Sequence, residues 1–218
     1  MAIYYVFAYD EHDTKGDYNW GSQKPFNTAP EDARPIRIYV PKGCPTDDLV
    51  KYLIGETKKY GKINLLRLCA HGDSGVLNLG GGQKGIDASS AYTNFQRLRD
   101  SFDGRPGGRR EIKVHGCGVA SDTKLPRTQP NQAGVYYLGP GTFQSKDVSS
   151  GQGYWFLKGL ANATGANAQG AVNAQRPWPD FKYRGPTIYV YPDSGGGRGI
   201  RLDYNKDGEI PPPLVPDP

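Results

Sequence analysis

Two stretches of this chain are built on one plan, and together they restrict what it can fold into. INLLRLCAHG (63–72) and EIKVHGCG (111–118) each run from apolar residues into a reactive side chain beside glycine, His71 in the first and Cys117 in the second. The first is a nearly continuous apolar run, as expected of a strand covered on both faces in a parallel sheet, although Arg67 interrupts it. Between the two stretches, Ala91, Phe95, Leu98 and Phe102 share one face of a helix predicted over 87–102. Strand, helix and strand make a βαβ unit with parallel strands. His71 and Cys117 then both stand at the carboxyl ends of strands.

The flanking segments extend the pattern. IYYVFA (3–8) and IRIYV (36–40) read as strands, and Leu49, Val50, Leu53 and Ile54 give helical spacing to 46–60. Thr46 is the expected cap of that helix, with Asp47 and Asp48 in its first turn, lysines in its last and Gly61 as its stop. A further helix is predicted over 153–165, ended by Gly165, followed by strands near 167–172 and at TIYVY (187–191). Strands alternating with helices argue for an α/β fold: an open, mostly parallel sheet with helices on both faces and its site at the carboxyl edge. One domain over 1–210 is expected, followed by a Pro-rich tail at 211–218. Residues 121–150 read as a long loop insertion, in which only GVYYLG has strand character. It leaves directly from the Cys117 strand, so it is expected to border the site, with Lys124, Arg127 and Lys146 as candidate self-cleavage points.

Composition limits the compartment and the partners. With Gly 30 and Pro 18 among 218 residues, much of the chain belongs to loops. No run approaches a membrane span, and the N-terminus has no basic region of a signal peptide. A soluble protein of the producing cell's cytoplasm is the expectation, with export by a dedicated system left open. The net charge of +5 comes from scattered residues apart from KKYGK (58–62) and RPGGRR (105–110), and no nucleic-acid motif accompanies them. Nucleic acid and membrane are therefore not expected partners. Three cysteines, Cys44, Cys69 and Cys117, cannot all pair within one chain, so at least one thiol stays free.

A cysteine nucleophile needs a base or cation nearby and amide donors for the oxyanion it creates. His71 is the candidate base and Cys117 the candidate nucleophile, with the backbone N–H groups of Gly72 and Cys117 as candidate oxyanion donors. Asp73 and Asp122 are candidate substrate-binding carboxylates that would favour a basic side chain at the cleaved residue, or else ordinary loop carboxylates. No cofactor is required. No metal site is expected; the alternatives weighed are Cys69, His71, His115 and Cys117 as a four-ligand zinc site of unusual spacing, and DYNKDGEI (203–210) as a calcium loop, which lacks the closing glutamate and reads rather as an Asx-type turn.

LCAHGDSGVLNLG (68–80), IKVHGCGVASDT (112–123) and FLKGLANATGANAQGAVN (156–173), in that order, resemble the caspase-like domain of large bacterial surface and secreted proteins. That domain is related to the clan of caspases, gingipains and clostripain. The chain departs from its pattern at Ala70, where serine is common, at His115, where tyrosine is common, and at Gly118, where asparagine is common. The resemblance implies a caspase-like fold and a His–Cys dyad at His71 and Cys117, acting as a cysteine endopeptidase on a protein or peptide substrate. The alternative is a silent caspase-like module used for binding or assembly, because a fold alone does not establish activity.

Overall fold

The structure, a computed structural model, describes residues 3–10, 33–41, 43–80, 85–104, 110–121, 144–172, 183 and 186–203. In chain order they form β1 (Ile3–Asp10), β2 (Ala33–Val40), α1 (Thr46–Tyr60), β3 (Lys62–Cys69), β4 (Gly72–Asp73), β5 (Val76–Leu77) and α2 (Ala88–Phe95). A 3₁₀ turn (Gln96–Ser101) extends α2. There follow β6 (Glu111–His115), β7 (Gln144–Val148), α3 (Gln152–Thr164), β8 (Asn167–Ala171), β9 (Thr187–Val190) and β10 (Gly199–Asp203).

Eight strands make one mixed sheet in the order β2-β1-β3-β6-β8-β9-β10-β7, while β4 and β5 form a separate hairpin. The pairings from β2 to β8 are parallel and those from β8 to β7 antiparallel. After β1 the chain moves to one side, to β2, and after β3 to the other, to β6. The strand order therefore reverses between β1 and β3, and a crevice is favoured at their carboxyl ends.

The crossovers from β2 to β3 and from β3 to β6 both advance in the same direction across the sheet. Right-handed crossovers then carry α1 and α2 over one face. Leu49, Val50 and Leu53 of α1, Ala91 and Phe95 of α2, and Phe156, Leu157 and Leu160 of α3 accordingly share one buried cluster. It includes Val6, Leu66, Leu68, Ile112, Val114 and Val190 of the sheet. The protein is thus mixed α/β, and all three α-helices among the described residues serve a single core.

A bulge sets which strand residues meet that core. Tyr4 pairs with Ile63 but Tyr5 with Leu65, leaving Asn64 as the extra residue. A single inserted residue swaps the faces of everything after it. Leu66 and Leu68 therefore face the helices, whereas Arg67 and Cys69 join Glu111, Lys113 and His115 on the opposite face, all of them buried. That second face is stitched by polar bonds. Gln169 Nε2 donates to Thr187 Oγ1 (3.1 Å), Asn167 Nδ2 to the Tyr189 hydroxyl (2.9 Å) and that hydroxyl to Glu111 Oε1 (3.3 Å). Burial, and after it the Glu111 charge, push the Tyr189 hydroxyl well above its ordinary pKa.

Several expectations need correction. Helix α1 runs over Thr46–Tyr60 as predicted, but its N-cap is Pro45, with no side-chain cap, and Thr46 is already inside the helix. The helix predicted over 87–102 is an α-helix only to Phe95 before tightening into the 3₁₀ turn. It starts at a box in which Asp87 Oδ1 accepts from Ser90 N (2.8 Å) and Asp87 N donates to Ser90 Oγ (2.9 Å). Gln144–Val148, read as loop, is strand β7, and Lys146 there is the register partner of Arg201. Lys146 thus stands in the edge strand of a ladder rather than in the free loop expected there. Lys124, Arg127, GVYYLG, most of the calcium-loop stretch and the Pro-rich tail lie outside the described residues. Among the described residues no helix is long and apolar enough to cross a membrane.

Candidate active site

Strands β3 and β6 are parallel neighbours in which Leu65 pairs with Glu111 and, at their ends, Cys69 with His115. Ala70 N donates to His115 O (3.2 Å), so the ladder continues one residue past β3. His71 and Cys117 each follow two residues after a member of the Cys69–His115 pair. They therefore leave the sheet at the same level, on adjacent strands, beside the reversal of strand order.

The β4–β5 hairpin holds the histidine. Asn78 N donates to His71 O (2.8 Å), which anchors the backbone while His71 itself is exposed. The hairpin turns through Ser74 and Gly75, the latter with φ 69°, a left-handed conformation that favours glycine. Gly72 and Leu77 are opposite each other, and Leu77 N donates to Ile86 O (2.9 Å). With the His71–Asn78 pair hydrogen-bonded, Gly72 and Leu77 form the alternate, unbonded pair, so Gly72 N–H is directed away from β5.

The cysteine sits, partly buried, at the start of a tight loop. Gly118 has φ 58°, and Ser121 N donates to Gly118 O (2.8 Å). Three further bonds fix this loop: Gly75 N to Val119 O (3.2 Å), Ala120 N to Ala171 O (2.9 Å) and Gly153 N to Ser121 O (3.1 Å). Hairpin, β8 and the start of α3 thus each hold it. Ser74 adds a side-chain tie, its Oγ donating to Ser121 O (2.7 Å) with the Gln152 amide 3.2 Å away.

Contact between the two strand ends is close enough to dictate glycine. A Cβ on Gly72 would stand 2.3 Å from Val119 Cγ1 and 3.1 Å from Cys117 O, and one on Gly116 would stand 2.8 Å from Val119 Cγ1. One on Gly153 would stand 2.1 Å from Ala120 C. The glycines after His71 and before Cys117 therefore have a packing reason of their own.

The remaining expected residues separate clearly. Asp73 Oδ1 accepts from Ser74 N (2.7 Å), so its carboxylate braces the hairpin turn. Asp122 lies outside the described residues. Cys69 is fully buried. Cys44 follows β2, and burial, then the charge of Asp48, push its thiol pKa up, which lowers its thiolate fraction.

His115 does not behave as a metal ligand. Its Nε2 lies 2.7 Å from Arg67 Nη1, and the ring stacks on Tyr183 with centroids 4.7 Å apart and planes at 11°. Burial, then the charges of Arg67 and Lys113, hold it well below the ordinary histidine pKa and so neutral. Because guanidinium only donates, Nε2 accepts and Nδ1 carries the proton. The Arg67 guanidinium thus occupies the Nε2 side of the ring, where a metal ion would otherwise compete with it. Among the described residues no three His, Cys, Asp or Glu side chains converge as metal ligands.

The Arg67–His115–Tyr183 cluster and the Val119 wedge escaped sequence reasoning. The one available signal was Arg67 itself, a charge inside an apolar strand. No family model, curated protein or solved structure matches the chain.

Proposed function

We propose that the protein is a cysteine endopeptidase of caspase-like type, with Cys117 as nucleophile and His71 as its acid–base partner. The observation that carries this reading is the Cys69–His115 register, which brings a histidine and a cysteine level at the ends of neighbouring parallel strands. His71 takes the thiol proton, and the Cys117 sulfur attacks the peptide carbonyl to form a C–S bond. The oxyanion is met by backbone N–H groups, Gly72 and Cys117 being the candidates. Collapse breaks the C–N bond, and His71 returns the proton to the departing amine. Water then attacks the thioester, releasing the acid and restoring the thiol.

Supporting the reading is the rigidity of the Cys117 loop, held from three elements, since a nucleophile must be presented in a fixed geometry. The resemblance of the stretches around both residues points the same way. Asp73 Oδ1 accepts from Ser74 N beside the site, and a preference for a basic side chain at the cleaved residue, with Asp73 or Asp122 as its carboxylate, belongs to the same proposal.

The test is hydrolysis of a fluorescent peptide library by wild type, Cys117→Ala and His71→Ala, each checked for folding by circular dichroism. Cleavage by wild type that is lost in both variants supports the dyad. Cleavage that survives in Cys117→Ala refutes it, and a wild type that cleaves nothing favours a silent binding module.

A further inference from the structure

We infer that Arg67, His115 and Tyr183 form a brace that positions Cys117. The inference rests on the reading above only in naming Cys117 as the nucleophile.

From Val114 to Cys117 the chain has few side chains to fix it. Val114 is committed to the helix-side core, and Gly116 has no side chain. His115 is thus the last anchored side chain before the cysteine, and it is held on two sides. Arg67 Nη1 reaches from β3 to its Nε2, and Tyr183 covers its ring. Tyr183 is itself fixed, its hydroxyl lying 3.1 Å from Gln169 O of β8 and 3.3 Å from Val114 O of β6. The three side chains therefore join β3, β6, β8 and the segment before β9 beneath the point where the Cys117 loop begins.

Position along the strand gives the brace leverage. Gly116 would collide with Val119 if it carried a Cβ, so a shift of the His115 backbone transmits through a close contact to the loop that presents Cys117. Arg67 also explains itself on this account. A charged residue inside a buried strand is costly unless its donors find acceptors, and here one acceptor is the neutral ring of the residue two before the nucleophile.

The experiment combines amide exchange at residues 116–121 with the rate of Cys117 alkylation by iodoacetamide, mapped by peptide mass. His115→Ala should speed exchange there by about tenfold and change the alkylation rate by at least about threefold. His115→Gln, which keeps an acceptor for Arg67 but loses the stack on Tyr183, should fall between wild type and His115→Ala, whereas Tyr183→Phe, which keeps the stack, should stay within about twofold of wild type. Tyr183→Leu removes the stack while keeping apolar volume, and it decides the question if His115→Ala fails to fold. Wild-type exchange and alkylation in folded His115→Ala or Tyr183→Leu would overturn the brace. Neither measurement needs turnover, so a wild type that cleaves no peptide would end the peptidase reading while the brace is still decided.

Discussion

Cys69 and His115 are register partners at the ends of adjacent parallel strands, and each lies two residues before a candidate catalytic side chain. Both are buried and both face away from the helices. They form the floor on which His71 and Cys117 stand. The site is in this sense a property of the sheet register, and a one-residue slip between β3 and β6 would separate the pair by a strand step of about 3.3 Å.

The closeness of the strand ends predicts an energetic coupling. Gly72→Ala should destabilise the protein by about 2 kcal/mol, because the new methyl meets Val119 Cγ1 at 2.3 Å. Val119→Ala in the same chain should recover about 1 kcal/mol of that loss, seen as non-additivity in urea unfolding. Gly153→Ala meets backbone at Ala120 instead, and no side-chain deletion should rescue it. Full additivity at Gly72 and Val119 would show that the two strand ends do not touch.

Buried, neutral His115 predicts a pH dependence of stability. Its folded pKa lies below the unfolded value near 6.5, so the unfolded chain binds the proton first. Stability should therefore fall as pH drops below about 6.5, approaching a slope of about 1.4 kcal/mol per unit until the lowered folded pKa is reached. Urea midpoints between pH 5 and 7.5 measure this. His115→Gln should flatten the slope, and an unchanged slope in that variant would assign it elsewhere.

A second pH effect is expected at the far end of α3. Lys158 Nζ, nearly buried, donates to Asp193 Oδ1 and to Gly197 O (2.7 Å), and Asn162 Nδ2 donates to Asp193 Oδ2 (2.7 Å). The Lys158 bond above all holds the Asp193 carboxyl below its usual range. A depressed carboxylate contributes stability that is present above its ordinary pKa near 3.8 and lost as pH falls through the folded value. Since Asp193 is itself well exposed, Asp193→Ala should cost under about 1 kcal/mol at pH 7. The difference from wild type should vanish once the pH has fallen below the lowered folded value, and a cost that persists there would contradict an ionic origin.

How far the sequence reveals this structure follows from the range of the forces involved. Helix α1 was legible in its extent, though not in its N-cap, because its periodicity, acidic first turn and Gly61 stop are local. Strand β3 was legible as an apolar run and β6 as a short segment with β-branched Ile112 and Val114, and with them the strand-end positions of His71 and Cys117. Strands β7 and β10 were not, since QSKDV and GIRLD carry weak local signals and owe their form to antiparallel partners. The bulge at Asn64, which decides that Arg67 faces His115, is a property of pairing with β1 and leaves no mark in β3 alone. The Arg67–His115 bond joins residues 48 apart in sequence, so its discovery had to wait for the fold.

The central claim, that Cys117 is a nucleophile activated by His71, is tested most directly by covalent labelling with a peptidyl chloromethyl ketone and mass mapping of all three cysteines. Cys69 is fully buried and Cys44 has a raised thiol pKa, so both should remain unmodified at pH 7. Cys117 should take up one equivalent, and His71→Ala should slow that uptake by at least about a hundredfold while leaving the fold intact. Equal slow labelling of Cys44 and Cys117, unchanged in His71→Ala, would contradict the dyad.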